Sequence, residues 1–400
     1  MSQQLIDLNV DLKKLRDEGY SVEIRNGFLL LHRIPYVTEN QKVEFGSLAS
    51  SLTMAGELVL VPDNHVAHFI GGQPCHKDGR PIQQIMHQVA PTTIDHGLVA
   101  DRSFSNKPPE GYKDYYHKMS TYSDIISGPA FSINPLNTAK AFAPIQTQEA
   151  ESVFQYLDTA SSRAGIFAVS KKLQFDKIAI IGLGGTGSYI LDLVAKTHVK
   201  IIQLFDGDKF LSHNAFRSPG AAAVKDLESQ RFKVDYFFDI YSKMHRGIVA
   251  HAFSVTQETA GALDGVNFAF VSIDGGASKK QVLKALESRN IPYIDCGIGI
   301  ELVDSSLTGQ VRTTLSIPTA RSHVWEKGAI TFSDEDIDNE YAWNIQIADL
   351  NALNAALAVI RWKRWAGFYL DFERELHSLY PIDGNTIINA HHVNEQGGMI

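Results

Sequence analysis

A short apolar run, Ile178–Ile181, ends in Gly182-Leu183-Gly184-Gly185-Thr186-Gly187, and the residues that follow, Ser188–Lys196, carry the spacing of an amphipathic helix. An apolar run stopped by glycines and continued by a helical pattern predicts strand, tight turn, helix. Glycines in such a turn let the backbone approach a phosphate. The helix N-terminus supplies N–H donors and the positive end of a dipole. This feature predicts a nucleotide-binding α/β unit. A tight turn with no ligand is the plain alternative, and an NAD-binding dehydrogenase is the usual competitor.

The surrounding pattern agrees. KIIQLFDGD, RGIVAHAFSV, NFAFVSID and IPYIDCGIG follow as short apolar strands with helical segments between them. Strands alternating with helices predict a parallel, doubly wound sheet, whose ligands bind beyond the carboxyl ends of the strands. IELVDSSLTGQVRTTLSI alternates like an antiparallel extension, a helix is expected over about 345–366, and a polar tail ends the chain. Residues 147–173 read as helix.

At 400 residues two domains are expected. Residues 1–145 form a smaller α+β domain: a helix at Asp11–Glu18, then strand-rich runs punctuated at Asn26-Gly27 and Gly71-Gly72. SFSNKPPEGYKDYYHKM reads as a polar loop and FSINPLNTAKAFAPI as a linker. Residues 146–400 form the α/β domain.

The formal charge of −8 argues against a general nucleic-acid binder. The N-terminus has no basic-then-apolar signal pattern. The apolar stretch at about 347–371 is interrupted by Asp349, Asn351, Asn354, Arg361, Lys363 and Arg364, so it is not expected to span a bilayer. Two cysteines are too few for a disulfide framework or a four-cysteine zinc site. A cytoplasmic protein is expected.

The second strand separates the nucleotide options. It ends in Asp206-Gly207-Asp208, with Asn214 and Arg217 shortly after. An acid there suits a ribose hydroxyl in either NAD or ATP. NAD does not explain the Asn and Arg. A triphosphate does, with the guanidinium for bidentate phosphate contact. The alternative is that Asp206 and Asp208 cap a turn and Arg217 is a solvated charge.

Together Gly182, Gly184, Gly185, Gly187, Asp206, Asp208, Asn214 and Arg217 resemble the ThiF / MoeB / ubiquitin-activating enzyme superfamily in type and spacing, over roughly 150–370. The resemblance implies a Rossmann-like adenylation domain. Such a domain joins ATP, with Mg²⁺, to the C-terminal carboxylate of a ubiquitin-like modifier or sulfur-carrier protein ending in Gly. It implies a phosphate-reaching Lys, either Lys233 in Lys233-Val234-Asp235 or Lys225. It implies an Mg²⁺-binding Asp at the end of the fourth strand, where Asp274 stands, although Asp274 also suits a helix cap before Gly275-Gly276. Arg163 stands where relatives place an Arg that reaches the pyrophosphate, often across a homodimer; the neighbouring residues depart from the usual form. Ser218 stands where the family has Gln. The N-terminal domain resembles the unassigned domain often found ahead of bacterial ThiF-like domains, for which docking of the modifier or of a conjugating enzyme is the default role. An NAD(P)-dependent oxidoreductase and a catalytically silent scaffold are the competing readings.

Thioester-forming relatives carry a reactive Cys after the adenylation core, yet no Cys follows Gly297. Cys296 ends an apolar strand and reads as core. Cys75 sits in a turn beside His76 and Lys77; exposed there, its pKa would fall. An ordinary turn residue is the simpler reading. The histidines around it, His65, His68, His76, His87 and His96, match no zinc spacing. Direct transfer from the adenylate, with no thioester on this chain, is expected.

Overall fold

The computed structural model describes residues 2–95, 98–145, 152–156, 158, 160–161, 166–274, 276–332 and 345–393. The chain divides into two compact units, Met1–Gln148 with Tyr156–Ala168 and Glu149–Gln155 with Val169–Ile400.

The first unit opens with helices α1 (Ser2–Leu8) and α2 (Val10–Asp17). Strands β1 (Ser21–Arg25), β2 (Phe28–Val37), β3 (Val43–Ser51), β4 (Val66–Ile70), β5 (Met86–Gln88) and β6 (Arg102–Ser105) make an antiparallel sheet in the order β1-β2-β3-β4-β6-β5. Asn26 and Gly27, at φ 45 and 76, give the two-residue turn whose twist matches the β1–β2 hairpin.

Helix α3 (Tyr115–Ile133) packs on β2 and β3, and its first turn lies where a polar loop was expected. The Asp114 side chain caps it by accepting from His117 N at 2.6 Å. Tyr115 Oη donates to the Ser51 carbonyl at 2.7 Å. The fully buried Lys118 spends its three donors on Ser50 Oγ (2.9 Å) and on the Asn64 carbonyl and side-chain oxygens (3.1 and 3.2 Å). Burial pushes that amine down to about 8. The expected linker is tied in as well: Ala139 is buried, and Ser21 Oγ donates to Ala143 O at 2.8 Å.

The second unit has β7 (Lys177–Ile181), α4 (Gly185–Val194), β8 (Ile201–Phe205), α5 (Lys233–Tyr241), β9 (Ile248–His251) and β10 (Phe268–Val271). These are followed by α6 (Gly276–Ser288), β11 (Tyr293–Val303), β12 (Ser306–Ser316), α7 (Ala348–Trp365), β13 (Glu375–Pro381) and β14 (Ile388–His392). The sheet order is β9-β8-β7-β10-β11-β12-β13-β14. The first five strands are parallel and the last three are added antiparallel.

β7 shows why the sheet is covered on both faces. Ile178 and Ile180 join the core that includes Ile190, Val194, Phe237, Val359 and Trp362, from α4, α5 and α7. Ala179 and Ile181 join the opposite core with Val282, Leu283 and Leu286 from α6. A continuous apolar run is what a two-faced parallel strand requires. Truncating the fully buried Ile180 to Ala would cost about 2–5 kcal/mol.

Two expectations fail. Instead of one helix, Phe154 lies in an extended bridge with His245, and described helix in this region comprises Ala160–Ser161, Phe167–Ser170 and the 3-10 turn Lys171–Leu173. The polar tail supplies two strands, β13 and β14, because Leu376 is buried and the buried Ser378 Oγ accepts from Arg361 Nη2.

Candidate functional site

Register places the site. Ile181 pairs with Phe205 on one side and with Val271 on the other, so β7, β8 and β10 end side by side. The next residues are Gly182, Asp206 and Ser272. Strand order reverses between β7 and β10, which is the switch point where open α/β sheets bind ligands.

Gly182 has φ +89, a conformation that costs a side chain dearly. A Cβ on Gly187 would lie 1.9 Å from Gly182 O and 2.6 Å from Ser272 Oγ, so this glycine permits α4 to sit tight against the turn. Ser272 Oγ donates to Gly182 O at 2.9 Å. Thr186 Oγ1 donates to Oδ1 of the buried Asn351 on α7 at 2.9 Å, a contact the sequence did not flag.

A cleft of about 350 Å³ opens at these strand ends. Gly182, Gly184 and Gly185 line it, as do Asp206, Asp208, Arg217 and Lys233, and Asp274 borders it after β10. Gly184 has open space where a Cβ would stand.

The acids differ in setting. Asp206 is buried; its Oδ2 accepts from Leu183 N at 2.7 Å and its Oδ1 from Asp208 N at 2.8 Å. It ties the glycine turn to the second strand. The Asp208 side chain is 76% exposed and faces Lys233 Nζ at 2.7 Å; Lys233 is buried and lies 3.4 Å from Asp206 Oδ1. Arg217 leaves its buried Nε without an acceptor among the described residues. Asp274 is exposed, and its Oδ2 accepts from Gln346 Nε2 at 3.2 Å.

Other expected residues lie elsewhere. Gly187 and Asn214 do not line the cleft. Asn214 is buried and its Oδ1 accepts from Leu211 N at 2.9 Å, bracing the turn that leads to Arg217. Lys225 is exposed on the short helix Val224–Glu228, away from the cleft. Arg163 and His96 lie outside the described residues.

Cys75 is not an exposed turn thiol. It is fully buried, its backbone bridges Val37 and Pro81, and burial followed by the Glu39 charge raises its pKa. Cys296 lines the cleft but is 5% exposed, and burial pushes it up to about 12. Among the described residues no cluster of three or more His, Cys, Asp or Glu could hold a metal, and no helix is long and apolar enough to cross a membrane.

Residues 10–159 match a family described as a domain of unknown function, DUF6791. No curated protein matches the chain. Among solved structures, E. coli MccB with succinimide is similar at 18% identity and a TM-score of 0.43 over 56% of this chain. E. coli MccB with AMPCPP and MccA is similar at 17% identity and 0.46, covering 58% of this chain and 71% of that one. PaaA is similar at 14% identity and 0.44, covering 56% and 75%. The chain spans 65% of MccB in the succinimide structure, just under two thirds of its length. Strand order and register, rather than these likenesses, define the unit as doubly wound α/β.

Proposed function

We propose that the unit ending in Val169–Ile400 binds ATP with Mg²⁺ and adenylates the C-terminal carboxylate of a small protein ending in Gly, a ubiquitin-like modifier or sulfur carrier. The observation that carries this reading is one cleft lined by the α4 N-terminus, Lys233, Arg217 and Asp274. A dehydrogenase site has no use for two cations and a distal carboxylate around the phosphates.

The residues suit the ligands. The open Cβ position at Gly184 leaves room for a phosphate on the backbone. The unpartnered Arg217 Nε offers a donor. Asp208, half free of Lys233, suits a ribose hydroxyl. Mg²⁺ takes one or two carboxylates plus phosphate oxygens, so Asp274 alone is a sufficient protein ligand. Bound there, the ion would neutralise phosphate charge.

The substrate carboxylate is already ionised near pH 7, so no general base is needed. Its oxygen bonds to the α-phosphorus, the bond from that phosphorus to the bridging oxygen breaks, and pyrophosphate leaves with the electron pair. Arg217 and Lys233 stabilise the charge that develops on the leaving group, and the glycine turn fixes the line of attack. Lys233 has three N–H donors and uses two on the aspartates, leaving one for a phosphate.

The first unit docks the modifier or a conjugating enzyme, the chain acts as a cytoplasmic homodimer, and Arg163 completes the partner's site. Buried thiols support direct transfer to a separate nucleophile. The test is ATP–pyrophosphate exchange with small proteins ending in Gly. Exchange is expected, and Asp274→Ala is expected to abolish it while circular dichroism stays unchanged. Unchanged exchange in that variant removes Asp274 from the site.

A further inference from the structure

The sheet of the first unit is covered by α3 on one face, where Leu29, Leu31, Ile34, Leu48 and Phe69 join the core. Side chains alternate along a strand, so Leu30, His32, Ser47 and Ala49 point to the other face. There three polar residues from adjacent strands meet. Register pairs Glu23 of β1 with Leu30 of β2 and Ser21 with His32, so Glu23 and His32 are diagonal neighbours on one face. His32 Nε2 lies 2.6 Å from Glu23 Oε2, and His32 Nδ1 lies 3.0 Å from Ser47 Oγ on β3. A carboxylate only accepts, so in the neutral ring Nε2 carries the proton. Nδ1 is then the acceptor, and the Ser47 hydroxyl donates to it.

A bulge builds this corner. Leu31 pairs with Leu48 and Ile34 with Gly46, so His32 and Arg33 both stand opposite Ser47. Arg33 has φ 58, a left-handed backbone that a residue with a side chain rarely adopts. Its guanidinium lies 4.7 Å over the ring of Phe45, two residues before Ser47, and donates to no acceptor among the described residues. Across the next strand pair Ser47 faces Ile70 of β4, which packs beside Leu30, Ala49 and Leu98 as an apolar wall. The His32 and Glu23 side chains are 24% and 19% exposed, so the imidazole is held and still reached by solvent. Ser47 is partly exposed. Hydroxyl, imidazole and carboxylate in series at these distances supply the nucleophile, base and orienting group of acyl transfer.

We propose that Ser47, His32 and Glu23 form an esterase site on the first unit, for carboxylic esters or thioesters whose acid part carries an anionic group. Ser47 Oγ attacks the ester carbonyl carbon and its proton passes to His32 Nδ1. The tetrahedral intermediate collapses to an acyl-serine, and the leaving alkoxide or thiolate takes that proton from Nδ1. Water then attacks the acyl-serine, giving a proton to Nδ1, and Ser47 regains it as the acid departs. Glu23 is a positioning residue that fixes the tautomer with Nδ1 free. Ile70 contacts the apolar part of the substrate, and the Arg33 guanidinium takes its negative charge. The site does not depend on the adenylation reading.

The test begins with the unaltered full chain and a fluorophosphonate, followed by peptide mass spectrometry. The label is expected on Ser47. Hydrolysis of mono-4-nitrophenyl glutarate should saturate and fall to the buffer rate in Ser47→Ala. His32→Gln should lower kcat about 100-fold or more, and Glu23→Gln about tenfold or more at unchanged KM, with unchanged circular dichroism. Arg33→Gln should raise KM for the glutarate ester about tenfold and leave KM for the neutral 4-nitrophenyl butyrate unaltered. Labelling of the unaltered chain needs no variant, so it decides the matter if a variant fails to fold. No label on Ser47, or hydrolysis that persists in Ser47→Ala, overturns the proposal. An unchanged KM for the glutarate ester in Arg33→Gln overturns the recognition of the anionic group.

Discussion

Lys233 Nζ lies 2.7 Å from the Asp208 carboxylate, joining a buried ammonium to a side chain that is 76% exposed at the mouth of the cleft. A buried cation next to a solvent-reachable acid can shift toward a phosphate without losing all its partners, because Asp206 stays 3.4 Å away. Lys233→Ala is therefore expected to weaken ATP binding at least about tenfold, about 1.4 kcal/mol. Lys225→Ala should leave it unchanged. Calorimetric titration of both variants checks this, and equal losses would show that Lys233 has no special place.

Asp206 is expected to matter for folding before it matters for binding. Asp206→Ala leaves Leu183 N–H buried without its acceptor, which costs about 1–3 kcal/mol. The urea midpoint should fall with no change in slope. Asp208→Ala, with its side chain mostly in water, should shift the midpoint less. The reverse order would contradict the assignment of Asp206 as the brace of the glycine turn.

Much of this was legible in the sequence. The glycine turn, the acids after β8 and the five parallel strands each announced themselves through an apolar run that stops at a special residue. What escaped notice was held by tertiary contacts. α3 has Pro108-Pro109 and Gly111 before it and Pro129 inside it, which obscure the apolar stripe of Tyr115, Met119, Tyr122 and Ile126 that packs in the core beside the buried Lys118. β13 and β14 carry Ser378 and Asn389, whose 2.6 Å hydrogen bond makes polar residues acceptable inside a sheet. Residues 147–173 had helical composition, yet Phe154 is drawn into a bridge with His245. Asn351 gave no local signal, since its partner Thr186 is far away in sequence.

The thiols should be inert in the native chain. Burial is the largest cause of the raised pKa at both positions, and at about 12 Cys296 is thiolate in about one molecule in ten thousand at pH 8. A chromogenic disulfide reagent should leave both cysteines unreacted in buffer and titrate both in denaturant. With ATP and a modifier, a non-reducing gel should show no thiol-sensitive adduct. An adduct lost in Cys75→Ala would make the first unit the site of a catalytic thiol.

Acid should destabilise the second unit through His245. This fully buried ring accepts from Gly247 N at Nδ1 (3.0 Å) and donates from Nε2 to Val199 O (2.8 Å). A second proton would face the Gly247 N–H. Burial lowers its pKa from 6.5 to about 4, with the neighbouring His198 charge acting in the same direction and the Val199 bond opposing. Between about pH 6.5 and 4 the unfolded chain binds the extra proton and the folded chain does not. The contribution is complete above that window and is lost as pH falls through it. Thermal melting from pH 7 to 4.5 should show a falling midpoint, with a shallower slope in His245→Gln; an equal slope would assign the loss to other groups.

The central claim is that this cleft holds ATP with a metal rather than a dinucleotide. Isothermal calorimetry of the full chain with ATP, with and without Mg²⁺, and with NAD tests it most directly. Binding of ATP that requires Mg²⁺, weakens in Asp274→Ala and has no NAD counterpart is the predicted result. Tight NAD binding with no ATP signal would contradict it.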